Sequence, residues 1–478
     1  MRAEAERSSG DAGMTGSAPS GARAGQQPRI QLRTRAKVWI VVAAVVFSAG
    51  TAEIFGRRYS FFDMRIYHGA VEWWTSGREL YEFAAPDSLL GFTYPPFAAL
   101  TMLPMALMSS TVAGWVNLVA SVAALTVVLA MLLVPVADRL GWPRGLVVAT
   151  ALPLALALEP NRETIGFGQV NLLLFLLVMA DLLALRWRAS PPAAAGRAPT
   201  WFSGAAVEAL RRFWYSGAWA GAGIGLATAI KVTPGLFILY LLVSRQWKPA
   251  AVATGTAAGA SLLGFVFAPR ESFAYFTSVL WQTDRVGAAD FTPNQSLAGI
   301  LARLYDQPQT PTMLWLTFGA VCCALGLIRA VNAHREGDEL AAFTLVGLTA
   351  IVISPISWTH HLVFVVPAVV ILGDLALRRR AAGSVLGHGG SLTGLRHGSA
   401  AVGTYLLFLM APIWWVRHRL PEGSHYDSGL WGVLAENSLA LGVILLVAAM
   451  PWRPGAEPAF PPPRRAARPA RPARSIMS

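Results

Sequence analysis

The chain has 478 residues, of which 54% are hydrophobic and only 14% are charged, and its formal net charge is +13. Soluble domains carry about 25% charged residues, and the apolar residues here form blocks close to the roughly 17–25 residues that cross a bilayer as a helix. The composition therefore excludes an ordinary soluble domain. Since only helices or closed barrels satisfy the backbone in lipid, and no alternating strand pattern is present, the sequence predicts an all-α polytopic membrane protein.

Both ends of the chain are basic and poor in large apolar residues. Residues 1–36 are rich in Ser, Gly, Ala and Arg, and residues 451–478 are rich in Pro and Arg. We predict two disordered cytoplasmic tails around a transmembrane domain over residues 37–450. Because the positive charge is concentrated in tails and short loops, it favours contact with membrane lipids over binding to nucleic acid. Cys322 and Cys323 are adjacent in an apolar run and predict neither a disulfide framework nor a metal site.

The apolar runs predict about twelve spans. Basic residues precede the first run, and others follow the last one, so both termini are expected in the cytoplasm and the number of crossings should be even. The runs lie near residues 38–55, 94–109, 112–134, 170–186, 217–231, 233–244, 249–268, 312–331, 341–353, 361–377, 400–416 and 432–450. The short run 145–158 is left over, and we predict a partial or re-entrant helix there.

This topology places five polar segments on the outer side of the membrane, whereas the inner loops carry little besides arginine. The five segments are Phe61–Ala70, Glu159–Asn171, the turn at Lys231, Phe291–Leu297 and Ser354–Phe364. A chemical site on the outer face explains why polar segments so far apart in the chain converge on one side.

The order of several motifs resembles glycosyltransferase family 87, typified by actinobacterial polyprenyl-phosphate-mannose-dependent α-1,2-mannosyltransferases of the GT-C class. The motifs are "DMRIYHGA", "GRELYEF", "FTYPPFAAL", "GQVNLLLF", "KVTPGLF" and "SWTHHLVF". The resemblance covers residues 37 to 450 and implies a GT-C-type helical bundle in the plasma membrane. It also implies a lipid-phosphate sugar donor, a lipid-linked glycan or glycolipid acceptor, inversion at the anomeric carbon, and an aspartate in the first outer loop that acts as the base.

Asp63 is the candidate base. Glycosyl transfer requires a carboxylate that takes the proton from the attacking hydroxyl, and Asp63 lies just beyond the first predicted span, at headgroup level. The alternative is an ordinary helix N-cap, because Asp is favoured there. Glu53, inside the first span near its outer end, is the second choice because an acid within a membrane is a functional candidate.

The departing phosphate requires positive groups or hydrogen-bond donors. Lys231 stands between two apolar halves and is a candidate for the donor phosphate, although a lysine near a span end also reaches the interface by snorkelling. One of His360 and His361 is predicted to contact the phosphate. The pair has no acidic partner at ligand spacing, so we predict no metal and no other cofactor.

Further contacts with sugar or phosphate are predicted from side chains that donate and accept hydrogen bonds. Tyr67 is expected on the same helix face as Asp63. Arg65 can equally be a solvated surface charge, and Asn and Gln side chains are also common in turns. For Tyr94, the favoured prediction is that its ring anchors the helix at the membrane interface. The remaining candidates are Asn161, Arg162, Glu163, Gln169, Asn171, Asn294 and Gln295.

Three other functions stay open at this stage. A transporter or lipid flippase is expected to place its polar groups near the bilayer midplane, which the predicted clustering at one face disfavours. An arabinofuranosyltransferase that uses polyprenyl-phosphate-arabinose is poorly separated from a mannosyltransferase, because donor identity depends on the shape of the pocket. A non-catalytic assembly protein does not need the polar cluster around Asp63.

Overall fold

The structure, a computed structural model, describes residues 31–86, 90–189, 204–305, 309–385, 390–417, 425 and 429–455. Most of the two predicted tails therefore lies outside the described residues. Within these ranges the chain is helical, and the only β pairing is an isolated antiparallel bridge between Asn294 and Trp358. The predicted all-α class is confirmed.

The described residues form twenty α-helices. The first ten are α1 (Thr34–Phe55), α2 (Phe62–Thr75), α3 (Pro96–Met102), α4 (Ser110–Arg139), α5 (Arg144–Leu156), α6 (Glu159–Phe167), α7 (Asn171–Ala189), α8 (Ala205–Ser216), α9 (Ala222–Ile230) and α10 (Gly235–Val243). The others are α11 (Trp247–Phe267), α12 (Pro269–Thr277), α13 (Leu297–Leu304), α14 (Thr312–Arg335), α15 (Glu339–Ile353), α16 (Val365–Val385), α17 (Gly390–Met410), α18 (Ile413–Arg417), α19 (Gly429–Glu436) and α20 (Ser438–Ala449). Short 3₁₀ helices occupy Leu80–Glu82, Leu103–Leu107, Val279–Trp281, Thr283–Val286 and Thr359–His361.

Five helical segments of the described chain are long and apolar enough to cross a membrane. They are Thr34–Phe55, Ser110–Arg139, Trp247–Phe267, Thr312–Arg335 and Gly394–Val416, and the pair α19 and α20, bent by 63°, makes a sixth if it is one span. The protein is thus a multi-pass membrane protein. The predicted count of twelve spans is not confirmed.

Several predicted spans are broken or short, which explains the lower count. The run 217–231 and the run 233–244 become α9 and α10, of nine residues each, or about 14 Å each at 1.5 Å per residue. The run 94–109 divides into α3 and a 3₁₀ helix at Leu103. The run 145–158 forms the 13-residue α5, as the prediction of a partial helix requires.

The boundaries of the predicted tails also differ from the structure. Helix α1 begins at Thr34, three residues before the predicted boundary. Arg453 is only 7% exposed; its guanidinium donates to Asp338 at 2.7 Å and to Asp374 at 2.9 Å. Because this pairing ties the end of the membrane domain to α15 and α16, the ordered chain extends beyond residue 450.

The main hydrophobic core lies between the faces of α4, α7, α9, α10, α15, α16 and α20. A second, smaller apolar cluster contains Tyr67, Phe92, Tyr94 and Tyr275 and joins α2, α3 and α12. Between these two clusters the chain leaves an open space, and the predicted polar segments face it.

Candidate active site

A cavity with a volume of ≈ 980 Å³ opens between α2, α6, the turn after α9 and the segment before α16. This volume lies at the upper end of the range for small-molecule sites, about 300–1,000 Å³. Residues of all five predicted outer segments line it, including Asp63, Gln169, Lys231, Phe291 and His361. The convergence predicted from the sequence is therefore present in the fold.

Asp63 lies in the first turn of α2 at the cavity wall. The N-cap of this helix is Phe61, in the left-handed region at φ 56°, and no side chain caps the helix. The alternative role of Asp63 as a helix cap is thus wrong. Burial raises the pKa of the Asp63 carboxyl to about 6, against the lowering effects of the Gln169 amide and of the Lys231 charge.

Gln169 holds Asp63 and Tyr67 together. Its Nε2 donates to Oδ2 of Asp63 at 2.6 Å and to the Tyr67 hydroxyl at 2.7 Å, so the two residues share a helix face as predicted. The Tyr94 hydroxyl donates to Oε1 of Gln169 at 3.0 Å and lies 3.0 Å from the Tyr67 hydroxyl. Tyr94, for which interfacial anchoring is the favoured prediction from the sequence, is thus part of the network behind the candidate base.

A glycine allows this close approach. Gly168 ends α6 with φ 73°, a conformation that side chains rarely adopt. A Cβ atom built on Gly168 lies 2.6 Å from Cβ of Met64 on α2. Any larger residue therefore pushes α6 away from α2, and the amide of Gln169 away from Asp63.

Lys231 occupies the break between α9 and α10 and lines the cavity. Its Nζ donates to Oδ1 of Asn171 at 3.1 Å and lies 2.9 Å from Nε2 of His361. Asn171 does not line this cavity; its amide also donates to the carbonyl oxygen of His360 at 3.0 Å. Asn171 therefore orients Lys231 from behind the wall of this cavity, which differs from the prediction of a contact with sugar or phosphate.

The tautomer of His361 follows from its backbone partner. The N–H of Trp358 donates to Nδ1 of His361 at 3.2 Å, and burial lowers the pKa of His361 well below its ordinary value, helped by Lys231. A neutral imidazole that accepts at Nδ1 carries its proton on Nε2, which points at Lys231. Burial lowers the pKa of Lys231 to about 7, so its amine can lose a proton near neutral pH and then accept from Nε2 of His361.

His360 and Glu163 lie at the end of the cavity formed by α6. His360 is 4% exposed and Glu163 is 1% exposed. The Tyr59 hydroxyl donates to Oε1 of Glu163 at 2.7 Å, and the ring of Phe167 lies 5.2 Å from that of His360. Burial lowers the pKa of His360 well below its ordinary value, and burial together with the charge of Glu159 raises that of Glu163 well above its own.

Another side of the cavity is apolar. Val232, Leu236 and Leu239 from the region of α10 face it, together with Ile353 and Ile356. Such a wall suits a hydrocarbon chain, because burial of apolar surface is favourable without directional contacts.

Several predicted site residues do not line the cavity. Glu53 is exposed on α1 and Arg65 is exposed on the far side of α2. The amide of Asn161 donates to the carbonyl oxygen of Ala155 at 2.8 Å, and Arg162 pairs with Glu159 on the same helix. Local helix geometry turns these four side chains away from the open space.

Asn294 and Gln295 are also structural in this fold. Asn294 accepts from the N–H of Ser357 at 2.9 Å, and its amide donates to the carbonyl oxygen of Ala289 at 2.8 Å. Gln295 accepts from the N–H of Ala440 at 2.9 Å and donates to the carbonyl oxygen of Glu436 at 2.9 Å. Both amide side chains are thus hydrogen-bonded to buried backbone groups, which require such partners, and neither side chain lines the cavity.

Several residues that line the cavity were not among the predicted site residues. These are Arg57, Tyr59, Arg285, Trp358 and Trp414. Tyr59 could have been found from its position beside the polar segment that begins at Phe61. Arg285 lies in the short 3₁₀ helix Thr283–Val286, outside any of the quoted motifs, so its place follows only from the tertiary fold.

Comparison with known proteins defines the class to which this site belongs. A model of glycosyltransferase family 87 matches residues 92–355. The chain belongs to this family, so the protein is a membrane-bound glycosyltransferase and the predicted resemblance is confirmed. The family assignment therefore excludes the alternatives of a transporter and of a non-catalytic assembly protein.

Its relatives are more specifically named. The chain is 34% identical over 361 residues to a polyprenol-phosphate-mannose-dependent alpha-(1-2)-phosphatidylinositol mannoside mannosyltransferase of Mycobacterium tuberculosis, covering 72% of this chain and 77% of the relative. It is 31% identical over 342 residues to the corresponding pentamannoside enzyme of Mycolicibacterium smegmatis, covering 69% and 73%. The crystal structure of ArnT from Cupriavidus metallidurans bound to undecaprenyl phosphate matches with a TM-score of 0.37 and 16% identity, covering 87% of this chain and 77% of that one.

Proposed function

We propose that this protein transfers mannose from polyprenyl-phosphate-mannose to a hydroxyl of a lipid-linked glycan or glycolipid, with inversion at the anomeric carbon. The names of the relatives support the donor and suggest a mannosylated phosphatidylinositol as the acceptor to test first. The apolar wall beside Lys231 supports a donor with a hydrocarbon chain.

The observation that carries the proposal is a partly buried carboxylate and a lysine–histidine pair on separate elements of one cavity. Asp63 on α2 takes the proton from the acceptor hydroxyl as its oxygen attacks the anomeric carbon. Lys231 and His361 hold the phosphate that leaves with the polyprenyl chain. A single in-line displacement places nucleophile and leaving group on opposite faces of the sugar, so the base and the phosphate site must be separate.

We also propose that the cavity opens on the outer face of the plasma membrane, with both termini inside. The support is the distribution of basic residues. With Cys322 and Cys323 replaced by serine, we expect Arg65→Cys, on the exposed face of α2, and Ala470→Cys to react with an impermeant thiol reagent from opposite sides. Labelling of both positions from the same side contradicts this topology.

The donor is tested with purified protein and two radiolabelled donors. We expect transfer from polyprenyl-phosphate-mannose to a phosphatidylinositol mannoside and little transfer from polyprenyl-phosphate-arabinose, with a nucleotide sugar as the negative control. Preferential transfer of arabinose contradicts the proposed donor, although it leaves the family assignment intact. A product that retains the donor's anomeric configuration contradicts the single displacement.

A further inference from the structure

One end of the cavity holds buried polar atoms for which the proposed donor site has no use. Among the described side chains, Oε2 of Glu163 and both ring nitrogens of His360 are buried and lack a hydrogen-bond partner, and both residues line the cavity. Most buried polar side-chain atoms in proteins have a hydrogen-bond partner, so atoms without one require an explanation. One explanation is a ligand that supplies the missing hydrogen-bond partners.

The position of these groups relative to Asp63 indicates which ligand this is. Tyr59, which donates to Glu163, lies four residues before Asp63 and just outside α2, and the ring of Phe62 on α2 lies 6.4 Å from that of Phe167 on α6. Glu163 therefore adjoins the base, on the wall formed by α6. Lys231 comes from a different element, so this end of the cavity is available to the molecule that attacks.

The chemistry of this end matches a sugar ring. A neutral imidazole has one donor and one acceptor, and a carboxyl group adds acceptor positions and, when protonated, a donor. Sugar hydroxyls both donate and accept. Aromatic rings surround these groups: Tyr59 stacks on Phe167 with centroids 3.8 Å apart, and such apolar faces suit the C–H faces of a sugar.

We infer that the α6 end of the cavity is the subsite for the terminal sugar of the acceptor, whose hydroxyls bind Glu163 and His360. The inference rests on the proposed function, because it assigns the second substrate of the same reaction. It gives the two neighbouring histidines different roles: His361 faces the donor phosphate beside Lys231, and His360 faces the acceptor.

The test measures donor and acceptor constants separately, with polyprenyl-phosphate-mannose as donor and octyl α-mannoside as acceptor. We expect Glu163→Leu and His360→Leu to raise the acceptor KM by about tenfold, the scale of one or two lost hydrogen bonds. The donor KM and the Kd for polyprenyl phosphate should stay within about twofold. The matched control is Glu79→Leu, which removes an exposed carboxylate that does not line the cavity.

A second variant keeps the test decisive if Glu163→Leu fails to fold. Tyr59→Phe retains the aromatic ring and the Glu163 carboxyl group but removes the hydrogen bond that orients that carboxyl group. We therefore expect a smaller rise in the acceptor KM and no change in the donor KM. An unchanged acceptor KM, or a rise in donor KM instead, overturns the subsite. Absence of mannose transfer by the wild type contradicts the proposed function, and the two failures are thus distinguishable.

Discussion

The amide of Gln169 donates to the carboxylate of Asp63 at 2.6 Å. This bond joins the end of α6 to the first turn of α2, and it lowers the pKa of a carboxyl group that burial raises to about 6. A hydrogen bond to the charged form favours that form. Gln169 therefore both orients the candidate base and keeps it ionised near neutral pH.

The rate should depend on pH through Asp63. Because the base acts as a carboxylate, kcat/KM for the acceptor at saturating donor is expected to fall about tenfold for each pH unit below a pH of about 6. We expect Gln169→Leu to move this acidic limb to higher pH and to lower kcat, since it removes a bond that stabilises the charge. A pH profile of donor-saturated transfer measures both effects.

Tyr67→Phe is the control for this profile. It removes the other acceptor of the same amide and leaves the Gln169–Asp63 bond in place, so its acidic limb should stay within about half a pH unit of wild type. If the acidic limb of the pH profile does not move in Gln169→Leu, the titrating group is not Asp63.

The contact between Lys231 and His361 predicts uptake of a proton with the donor. A lysine that accepts from Nε2 of His361 is uncharged, and it must gain a proton to pair with a phosphate. Titration calorimetry of polyprenyl phosphate in buffers of different ionisation enthalpy should show uptake of about one proton near pH 8. Lys231→Ala should abolish that uptake and raise the donor KM, while the acceptor KM changes little.

His361→Ala is expected to act differently from Lys231→Ala. Loss of the His361 imidazole should lower kcat more than it raises the KM for the sugar donor. The reason is that a hydrogen bond to the phosphate that strengthens as charge develops acts in the transition state. Donor binding without proton uptake in the wild type contradicts the uncharged lysine. Normal donor use by both variants contradicts the phosphate site.

How far the sequence predicts the site depends on how each side chain is turned. Asp63, Gln169 and Lys231 stand in polar motifs between apolar runs, and the fold brings all three to the cavity. Asn294 stands in an equally polar motif, yet backbone groups of a distant segment use its amide. Composition and topology place a loop on one side of a membrane, but only the tertiary packing decides which polar residues face inward.

The same limit applies to the helices. Runs of apolar residues predict where the chain enters lipid, but the break at Lys231 divides two runs into short helices that meet at the cavity. A motif such as "KVTPG" indicates a turn. It does not indicate whether the flanking halves are separate spans or parts of one broken element.

Asn294→Ala should affect stability more than catalysis. The substitution leaves the buried N–H of Ser357 without its acceptor, which typically costs about 1–3 kcal/mol. We expect a lower thermal unfolding temperature in detergent and unchanged KM values for the folded enzyme. The control is Asn332→Ala near the end of α14, which should change the free energy of unfolding by less than about 0.5 kcal/mol. A raised KM for the donor or the acceptor in Asn294→Ala contradicts the structural role.

The most direct measurement of the central claim is mannose transfer by Asp63→Asn, with polyprenyl phosphate binding measured on the same preparation. The substitution keeps the size of the side chain and removes the base, so kcat should fall by about 10²–10⁴-fold while the Kd for polyprenyl phosphate stays close to that of wild type. Glu53→Gln, on the exposed face of α1, should retain full activity. Transfer by Asp63→Asn within a few-fold of wild type contradicts the account, and loss of activity in Glu53→Gln assigns the base to that residue instead.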